Sequence, residues 1–324
     1  MLTSDFDYDL PPELIAAHPL AERSASRMLV VDRARGTLEH RRFAELPGYG
    51  REGDLWVLNN TRVVPARFFS NDGLQELLRI DVLGPRRWRC MVKPGKRFRP
   101  GHRVEIGEAA GHVLEVLDNG DRVIEFDRAV DEERHGHLAL PPYMGRQNEA
   151  ADRERYQTVY AKAAGAIAAP TAGLHFTPEI LARLPHAFVT LHVGVGTFQP
   201  VKVERVEEHV MHRERYEIPV ATADAIAGAG RVIAVGTTSM RTLEAAARDH
   251  GGVKAVTDST DIFIYPGYEF RVCGALLTNF HLPKSTLLML VSAFAGSDLI
   301  REAYAEAVRE RYRFFSYGDC MLIV

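Results

Sequence analysis

The segment from Gly274 to Phe294 limits the possible folds of this chain more than any other. Ala275 to Thr278 is an apolar run of strand length, and Leu287 to Phe294 is apolar on nearly every side. A helix with no polar face has to be enclosed by a large core. Pro283 favours a turn or the first turn of that helix. The segment therefore predicts a strand, a polar turn and a buried helix in the interior of a layered domain.

The polar turn between this strand and helix carries Asn279, His281, Lys284, Ser285 and Thr286. Backbone N–H groups at a helix N-terminus are unpaired and partly positive, which suits a carboxylate, a phosphate or a hydroxyl-rich ligand. A capped core helix with a hydrogen-bonded histidine would leave the same pattern. The segment alone does not decide between a ligand site and a purely structural turn.

Similar turns follow other predicted strands. The predicted strand 232–235 runs into GTTSMRTLEAA, which places Thr237, Thr238 and Ser239 at the start of a helix and Arg241 one turn later. His175 follows a predicted strand at 166–169, and His192 lies near the end of one at 187–193. Carboxyl ends of strands in an open α/β sheet form the usual ligand-binding edge. The sequence therefore predicts an α/β domain with a pocket at that edge.

Further polar residues are candidates for the same pocket. Asn60 and Arg62 follow a predicted strand at 54–58, where an arginine held by amides forms an anion clamp or pairs with a structural carboxylate. His212 and Glu214 would share one face if their segment were a strand. Asp319 lies in the last apolar segment, and 261–270 is predicted as a strand.

Residues 69–126 show a different sequence pattern from the rest of the chain. Short strand-like runs follow one another, with Gly-containing turns between them and a hairpin signal in LDNGDR at 117–122. This pattern predicts a small antiparallel barrel or sandwich inserted into the main domain.

The insert contains the strongest charge run of the chain, 86–103, with eight basic residues and no Asp or Glu. Such a run on a β-surface is typical of a nucleic-acid backbone patch, and its aromatic residues could stack on bases. A solvated loop face is the alternative. The candidate contacts are Arg86, Arg87, Trp88, Arg89, Lys93, Lys96, Arg97 and Arg99.

Composition excludes several classes. A net charge of −3 gives no global attraction to nucleic acid or membrane, so any polyanion site has to be local. Three widely spaced cysteines argue against a disulfide framework and fit a reducing cytoplasm. The acidic N-terminus is unlike a signal peptide, and no apolar stretch is long enough to cross a bilayer. We expect a cytoplasmic protein with no membrane segment.

Common catalytic motifs are weak here. GVG at 194–196 lacks the third glycine of a dinucleotide fingerprint, and GTTS lacks the lysine of a P-loop. HVMH has i, i+3 spacing on a predicted strand, so we expect no metal site. Ser285, His281 and Asp319 could form a hydrolytic triad, but no nucleophile elbow is present. The residues support an enzyme acting on an anionic substrate; an RNA-binding adaptor, a nucleoside hydrolase and a methyltransferase remain alternatives.

Several long strings resemble one family along nearly the whole chain. They include LNNTRVVPAR, PTAGLHFTPE, TLHVGVGTFQPV, HVMHRERYEIP, VGTTSMRTLE, LLTNFHLPKSTLLMLVSAFAG and YRFFSYGDCML. All are similar to the S-adenosylmethionine:tRNA ribosyltransferase-isomerases of queuosine biosynthesis. The resemblance implies an α/β fold: a mixed-sheet main domain, 1–68 and 136–324, with an inserted small antiparallel β-barrel domain, 69–135.

The resemblance also implies a reaction. The ribosyl moiety of S-adenosylmethionine moves to the aminomethyl group of 7-aminomethyl-7-deazaguanine at the tRNA wobble position and is isomerised, which gives epoxyqueuosine and releases adenine and methionine. S-adenosylmethionine is then a consumed substrate, and we expect no cofactor. The expected partner is a tRNA with a GUN-type anticodon, bound by a monomer.

These steps need proton transfers near neutral pH, for which histidine is suited. The expected catalytic residues are His175, His192, His212 and Glu214. The expected substrate-binding residues are Asn60, Arg62, Thr237, Thr238, Ser239, Arg241, Asn279, His281, Ser285, Thr286 and Asp319.

Overall fold

The computed structural model of the chain describes residues 1–194 and 201–324. Within these ranges the chain forms seventeen strands, numbered in chain order: β1 (Arg27–Asp32), β2 (Thr37–Arg42), β3 (Asp54–Asn59), β4 (Thr61–Val63), β5 (Arg67–Phe69), β6 (Glu76–Gly84), β7 (Arg87–Lys93), β8 (Arg103–Ile106), β9 (Ala109–Val116), β10 (Arg122–Phe126), β11 (Ala163–Ala166), β12 (His186–Leu191), β13 (Glu214–Ile218), β14 (Arg231–Val235), β15 (Val256–Thr260), β16 (Cys273–Asn279) and β17 (Cys320–Ile323).

The same ranges contain seven α-helices and several short 3-10 helices. One 3-10 helix, Thr171–His175, ends at the expected catalytic residue His175. The α-helices are α1 (Glu132–His135), α2 (Asp152–Arg155), α3 (Pro178–Ala182), α4 (Val220–Ala227), α5 (Thr237–His250), α6 (Thr286–Ala295) and α7 (Ser297–Arg309).

The chain divides into two compact units. The first comprises Met1–Arg62, Pro141–Arg146 and Glu154–Val324, and the second comprises Val63–Leu140 and Gln147–Arg153. The second unit thus reaches beyond the predicted limits of 69–135 on both sides. Backbone hydrogen bonds explain part of this extension, because Arg67 and His137 each donate an N–H to the other's carbonyl.

A nine-stranded mixed sheet organises the first unit, in the order β15-β13-β12-β3-β14-β16-β17-β1-β2. Its middle strands β12, β3, β14 and β16 run parallel, whereas β17 is antiparallel to β16 and parallel to β1. Parallel strands covered on both faces carry apolar residues at successive positions. Leu276 accordingly packs in one core cluster and its neighbour Leu277 in the cluster on the other face. The predicted mixed-sheet α/β fold is confirmed.

The segment 274–294 lies at the centre of this unit. Its strand is β16 and its helix is α6, in which Met289, Leu290 and Val291 are each at most 1% exposed. Full burial of one such side chain contributes about 1.5–3 kcal/mol, so α6 is a main source of core stability. Ser285 caps the helix, because its hydroxyl accepts the N–H of Leu288 at 3.2 Å.

Some predicted elements are absent or displaced. Residues 261–270 are not a strand; β15 ends at Thr260, whose hydroxyl accepts the N–H of Ile262 and turns the chain. The strand expected at 166–169 is β11, which ends at Ala166. β13 begins at Glu214, so His212 precedes it and shares no strand face with it. Short segments with polar breaks are where local pattern is least decisive.

The second unit contains a six-stranded antiparallel sheet in the order β5-β6-β7-β10-β9-β8, which curves into a barrel-like form. Its core includes Phe68, Trp88, Phe98 and Phe126. The inserted antiparallel barrel predicted from the strand spacing is therefore confirmed.

Candidate active site

A cleft opens in the first unit where β14 and β16 end. It encloses about 660 Å³, its open mouth included. None of the described residues that line it is Asp, Glu, Lys or Arg. Its polar lining residues are Tyr143, Thr171, Thr237, Thr238, Thr278, Asn279, His281, Ser285 and Ser316. The sequence predicted five of these, namely Thr237, Thr238, Asn279, His281 and Ser285.

The start of α5 forms one side of the cleft. Gly236 has φ of +87°, a conformation that favours glycine, and donates its N–H to Leu277 O at 2.7 Å. The helix begins at Thr237 without a side-chain cap, so the first N–H groups keep their partial positive charge. Thr237 is 6% exposed, and no partner for its hydroxyl is present among the described residues. This end of the cleft offers several donors to an anionic or hydroxyl-bearing group.

Asn59 holds this helix start from the side away from the cleft, a role that no local sequence pattern predicts. Its Nδ2 donates to Leu191 O at 2.9 Å and to Thr238 Oγ1 at 3.3 Å, and its Oδ1 accepts the N–H groups of Thr61 and Leu191. The neighbouring Asn60, predicted to bind substrate, instead accepts the hydroxyl of Thr190 at 2.7 Å. A fully buried amide with all its groups bonded ties β3, β12 and α5 together.

Two other predicted residues of the α5 turn lie away from the cleft lining. Ser239 is completely buried, and its hydroxyl donates to Val235 O at 2.8 Å. Arg241 is 4% exposed and pairs with Glu214, Nη1 to Oε2, at 2.5 Å. The second oxygen of Glu214 accepts the N–H of Gly194 at 3.0 Å. Both oxygens of the expected catalytic carboxylate are thus held in structural bonds.

His281 is the histidine that lines the cleft, in the part of the chain that the structure describes. Its Nε2 lies 2.8 Å from Thr278 Oγ1, and its backbone is held by Tyr304, whose hydroxyl accepts the His281 N–H. Burial lowers the pKa of His281 to about 3, so the ring is neutral at pH 7. A neutral imidazole offers hydrogen bonds to a ligand without adding charge.

Asn279 ends β16 and joins three parts of the chain. Its Nδ2 donates to Phe315 O at 2.9 Å, and its Oδ1 lies 3.1 Å from His175 Nε2. His175 itself does not line the cleft, and its other nitrogen contacts the hydroxyl of Ser26 at 2.9 Å. Burial lowers the pKa of His175 to about 4. The structure therefore brings His175 and Asn279 together, with the histidine behind the amide.

The opposite wall consists of Tyr143 and the Phe315–Ser316 peptide, none of which the sequence singled out. The rings of Tyr143 and Phe315 lie 4.7 Å apart, and the hydroxyls of Tyr143 and Ser316 are 2.5 Å apart. Burial raises the pKa of Tyr143 to about 12, so its hydroxyl remains protonated. YRFFSYGD was visible as a family string, but nothing local marked it as a pocket wall.

Four further predicted site residues lie outside the cleft lining. Asp319 is 2% exposed, and its oxygens accept the N–H groups of Arg27 and Arg313. Thr286 begins α6, Arg62 is exposed, and His212 is exposed ahead of β13.

His192, next to the lining residue Val193, is half-buried, and its Nδ1 lies 2.8 Å from Thr61 Oγ1. Burial, with a smaller contribution from Arg215, lowers its pKa. Of the GVG motif, Val195 and Gly196 lie outside the described residues.

The basic run of the second unit separates into two groups. Arg86 donates to Asp127 O, while Arg87 and Arg89 pair with Glu125 and Asp121. Lys93, Lys96, Arg97 and Arg99 are exposed in and beside the turn after β7, and no ion pair is present for them among the described residues. We refer to these four residues as the cation loop.

The aromatic residues of the run face inward. Trp88 is 3% exposed, and its ring packs 4.8 Å from those of Phe68 and Phe126; Phe98 is fully buried. The expectation that Trp88 contacts RNA is therefore corrected, since strand alternation turns it into the barrel core. The same alternation, Arg87 out and Trp88 in, was readable from the sequence.

Two structural expectations concern metals and membranes. In the described ranges no group of three or more His, Cys, Asp or Glu is placed to hold a metal ion. That the reaction needs no metal stays a prediction. None of the helices in those ranges has the length and apolar character needed to cross a bilayer.

Comparisons with known proteins give a consistent result. The family model described as queuosine biosynthesis protein matches residues 3–323. The chain is similar to the S-adenosylmethionine:tRNA ribosyltransferase-isomerases of Geobacter metallireducens, 53% identical over 345 residues, and Symbiobacterium thermophilum, 54% identical over 343 residues. Both alignments cover all of each chain.

A solved structure adds to this likeness. The crystal structure of S-adenosylmethionine tRNA ribosyltransferase from Thermotoga maritima is 38% identical in sequence and matches with a TM-score of 0.56. The match covers 99% of this chain and 100% of that one.

Proposed function

This chain belongs to the queuosine biosynthesis protein family, and from that membership we propose that it is an S-adenosylmethionine:tRNA ribosyltransferase-isomerase. It transfers the ribosyl moiety of S-adenosylmethionine to the aminomethyl group of 7-aminomethyl-7-deazaguanine at the tRNA wobble position. Rearrangement of the ribose yields epoxyqueuosine, and adenine and methionine leave. S-adenosylmethionine is a substrate consumed once per tRNA rather than a resident cofactor.

We place S-adenosylmethionine in the cleft of the first unit. The observation that carries this assignment is the uncapped start of α5, which opens into a cleft with no acidic side chain in its described lining. Free N–H groups at a helix start suit the methionine carboxylate. Tyr143 and Phe315 supply aromatic surface for the sulfonium or for adenine, because ring faces attract cations and stack on planar bases.

The chemistry requires a base near the ribose carbon next to the sulfonium, a proton for departing adenine, and a neutral attacking amine. Neutral His281 provides hydrogen bonds within the cleft. His192 is our candidate for proton transfer, since no partner for its Nε2 is present among the described residues. Glu214 and Asp319 we assign to structural roles, because their oxygens are engaged by other groups of the chain.

The cation loop is our candidate for the tRNA backbone. Exposed Lys and Arg side chains that form no ion pair among the described residues can neutralise phosphates; of the four, Arg97 lies close enough to Asp72 to help lower the pKa of that carboxyl. The substrate would be a tRNA with a GUN-type anticodon, and the active species a monomer. Light scattering at micromolar concentration, alone and with one equivalent of tRNA, tests the monomer; a dimer in both would contradict it.

A product assay tests the proposed reaction. The protein is incubated with S-adenosylmethionine and with tRNA that carries the 7-aminomethyl-7-deazaguanine base, and the small molecules are separated. Adenine and methionine released in equal amounts, only with this tRNA, support the proposal. S-adenosylhomocysteine would indicate a methyltransferase, adenine without tRNA a hydrolase, and no turnover an adaptor.

A further inference from the structure

The wall of the cleft opposite α5 is held in an unusual backbone conformation. Phe315 has φ of +71°, a left-handed value that a bulky aromatic residue rarely adopts. Such a conformation persists only where surrounding contacts hold it, and it is common at functional sites. The residues that contact Phe315 must therefore hold it in this conformation.

Asn279 supplies a side-chain contact, in addition to the backbone bond from the Gly318 N–H to Phe315 O at 3.0 Å. Its Nδ2 donates to Phe315 O at 2.9 Å and approaches Ser316 O at 3.4 Å, while Phe315 donates its own N–H to Phe280 O at 3.2 Å. Both acceptors of Nδ2 are carbonyls, which cannot donate, so the amide orientation of Asn279 is determined by its partners. Its Oδ1 therefore faces His175.

This orientation decides the tautomer of His175. Asn279 Oδ1 can only accept, so Nε2 of His175 carries the hydrogen and donates it across 3.1 Å. Nδ1 then accepts the hydroxyl of Ser26 at 2.9 Å, a shorter contact than the 3.3 Å from that hydroxyl to Arg23 O. The ring is 3% exposed and packs on Phe43, with ring centroids 5.2 Å apart. A neutral ring with its one N–H at Nε2 therefore has both nitrogens hydrogen-bonded, and no carboxylate contacts the ring among the described residues.

We propose that His175 is a positioning residue: through Asn279 it holds the Phe315–Ser316 wall of the cleft, and it exchanges no proton with the substrate. This inference rests on the proposed function for its kinetic consequences. The structural part does not depend on it. The positioning role rests on a series of contacts. His175 contacts Asn279, Asn279 donates to the carbonyls of Phe315 and Ser316, and both of these residues contact Tyr143.

The surrounding charges agree with a ring that stays neutral. Burial is the largest cause of the lowered pKa of His175, and the guanidinium groups of Arg23 and Arg313 lower it further. The bond to Asn279 opposes this shift but does not overcome it. A neutral ring at pH 7 is suited to a permanent hydrogen bond more than to shuttling a proton.

Two substitutions separate the positioning role from acid–base catalysis. In His175→Gln the side-chain amide can still donate to Asn279, whereas His175→Phe fills the space with no donor. For His175→Gln we expect kcat and KM for S-adenosylmethionine within about threefold of the parent. For His175→Phe we expect KM to rise about tenfold or more, as for the loss of a hydrogen bond that leaves a buried acceptor unpaired. Both limbs of the pH–rate profile should remain in each variant.

Hydrogen exchange gives a readout that needs no activity. Amides of the peptide 313–319 should exchange at least about tenfold faster in His175→Phe than in His175→Gln, because freeing a local hydrogen bond lowers the opening free energy. If His175→Phe does not fold, Asn279→Ser removes the next contact of the chain, the bond to Phe315 O, and should speed the exchange of the same amides.

The outcomes are distinguishable. A loss of roughly 10²–10⁴ in kcat for His175→Gln, with one limb of the pH profile removed, would identify a proton-transfer residue and overturn the inference. The inference would also be overturned if His175→Phe kept the parent KM for S-adenosylmethionine and the parent rate of amide hydrogen exchange in 313–319. A parent protein that makes no product contradicts the proposed function alone, since the exchange comparison still decides the positioning role.

Discussion

Arg241 Nη1 lies 2.5 Å from Glu214 Oε2, and the two side chains are only 5% and 7% exposed. Arg241 Nε also donates to Ile262 O at 3.3 Å, and Glu214 also accepts the N–H of Gly194. The pair therefore links α5 with β13, and also with Gly194 after β12 and Ile262 after β15. A residue expected to bind substrate and one expected to catalyse are instead each other's partner.

Removing one member of this pair should destabilise the fold. Arg241→Met leaves a buried carboxylate without its counter-ion, for which we expect a loss of about 3–5 kcal/mol in the free energy of unfolding, measured with urea. The double variant Arg241→Met, Glu214→Gln should recover part of this loss, because no buried charge is then unpaired. Normal stability with weakened S-adenosylmethionine binding would instead make Arg241 a substrate ligand.

The start of α5 should control affinity for S-adenosylmethionine. Thr238 lines the cleft, so Thr238→Leu adds bulk there and removes the hydroxyl that Asn59 contacts. Overpacking costs about 1–3 kcal/mol, which corresponds to a rise in Kd of about fivefold to 150-fold by calorimetry. The matched control is Ser239→Ala, one residue along, whose hydroxyl bonds Val235 O. Equal effects from both variants would remove this helix start from the site.

Salt dependence should identify the tRNA contact. Neutralising Lys96, Arg97 and Arg99 of the cation loop to Gln should reduce the slope of log K against log salt by about two units, if each side chain meets a phosphate. The control is the triple change of Arg86, Arg87 and Arg89 to Gln, which removes the same charge from residues already bonded to Asp127 O, Glu125 and Asp121. An unaltered slope in the first variant would mean that the cation loop faces solvent.

Two buried histidines should make stability fall in mild acid. The folded-state pKa values of about 4 for His175 and about 3 for His281 lie below the ordinary value of 6.5. Below pH 6.5 the unfolded chain binds protons that the folded chain does not, so stability is lost as the pH falls towards those values.

Each histidine should lower the free energy of unfolding by about 2 kcal/mol when the pH falls from 7 to 5. His175→Gln should remove one such contribution from the difference between urea titrations at the two pH values. The same pH dependence in parent and variant would show that His175 is accessible to protons in the folded state.

The sequence predicted those parts of the site that depend on local pattern. The starts of α5 and α6 were visible because a strand, a glycine or proline, and Ser or Thr residues follow one another within a few positions. The partners of His175 were not visible, because Ser26 and Asn279 lie 149 and 104 residues away in the chain. Pairing over such distances is decided by sheet order, which no local pattern encodes.

The burial of charged and aromatic side chains was misjudged for a related reason. Position after a strand or in a terminal segment predicts ligand contacts for Arg241 and Asp319. Arg241 instead pairs with Glu214, and Asp319 accepts the N–H groups of Arg27 and Arg313. Trp88 was grouped with its basic neighbours although alternation along β7 turns it inward. A charge run predicts exposure of its charges and says nothing about the aromatic residues between them.

The central claim is that the ribose carbons of S-adenosylmethionine end on the wobble base. S-adenosylmethionine labelled with ¹³C throughout the ribose should be incubated with the protein and the 7-aminomethyl-7-deazaguanine tRNA, and the tRNA digested for mass spectrometry. The account predicts a wobble nucleoside that carries all five labelled carbons, while a labelled S-methyl group leaves with methionine. A tRNA that gains the methyl label, or no label, would contradict it.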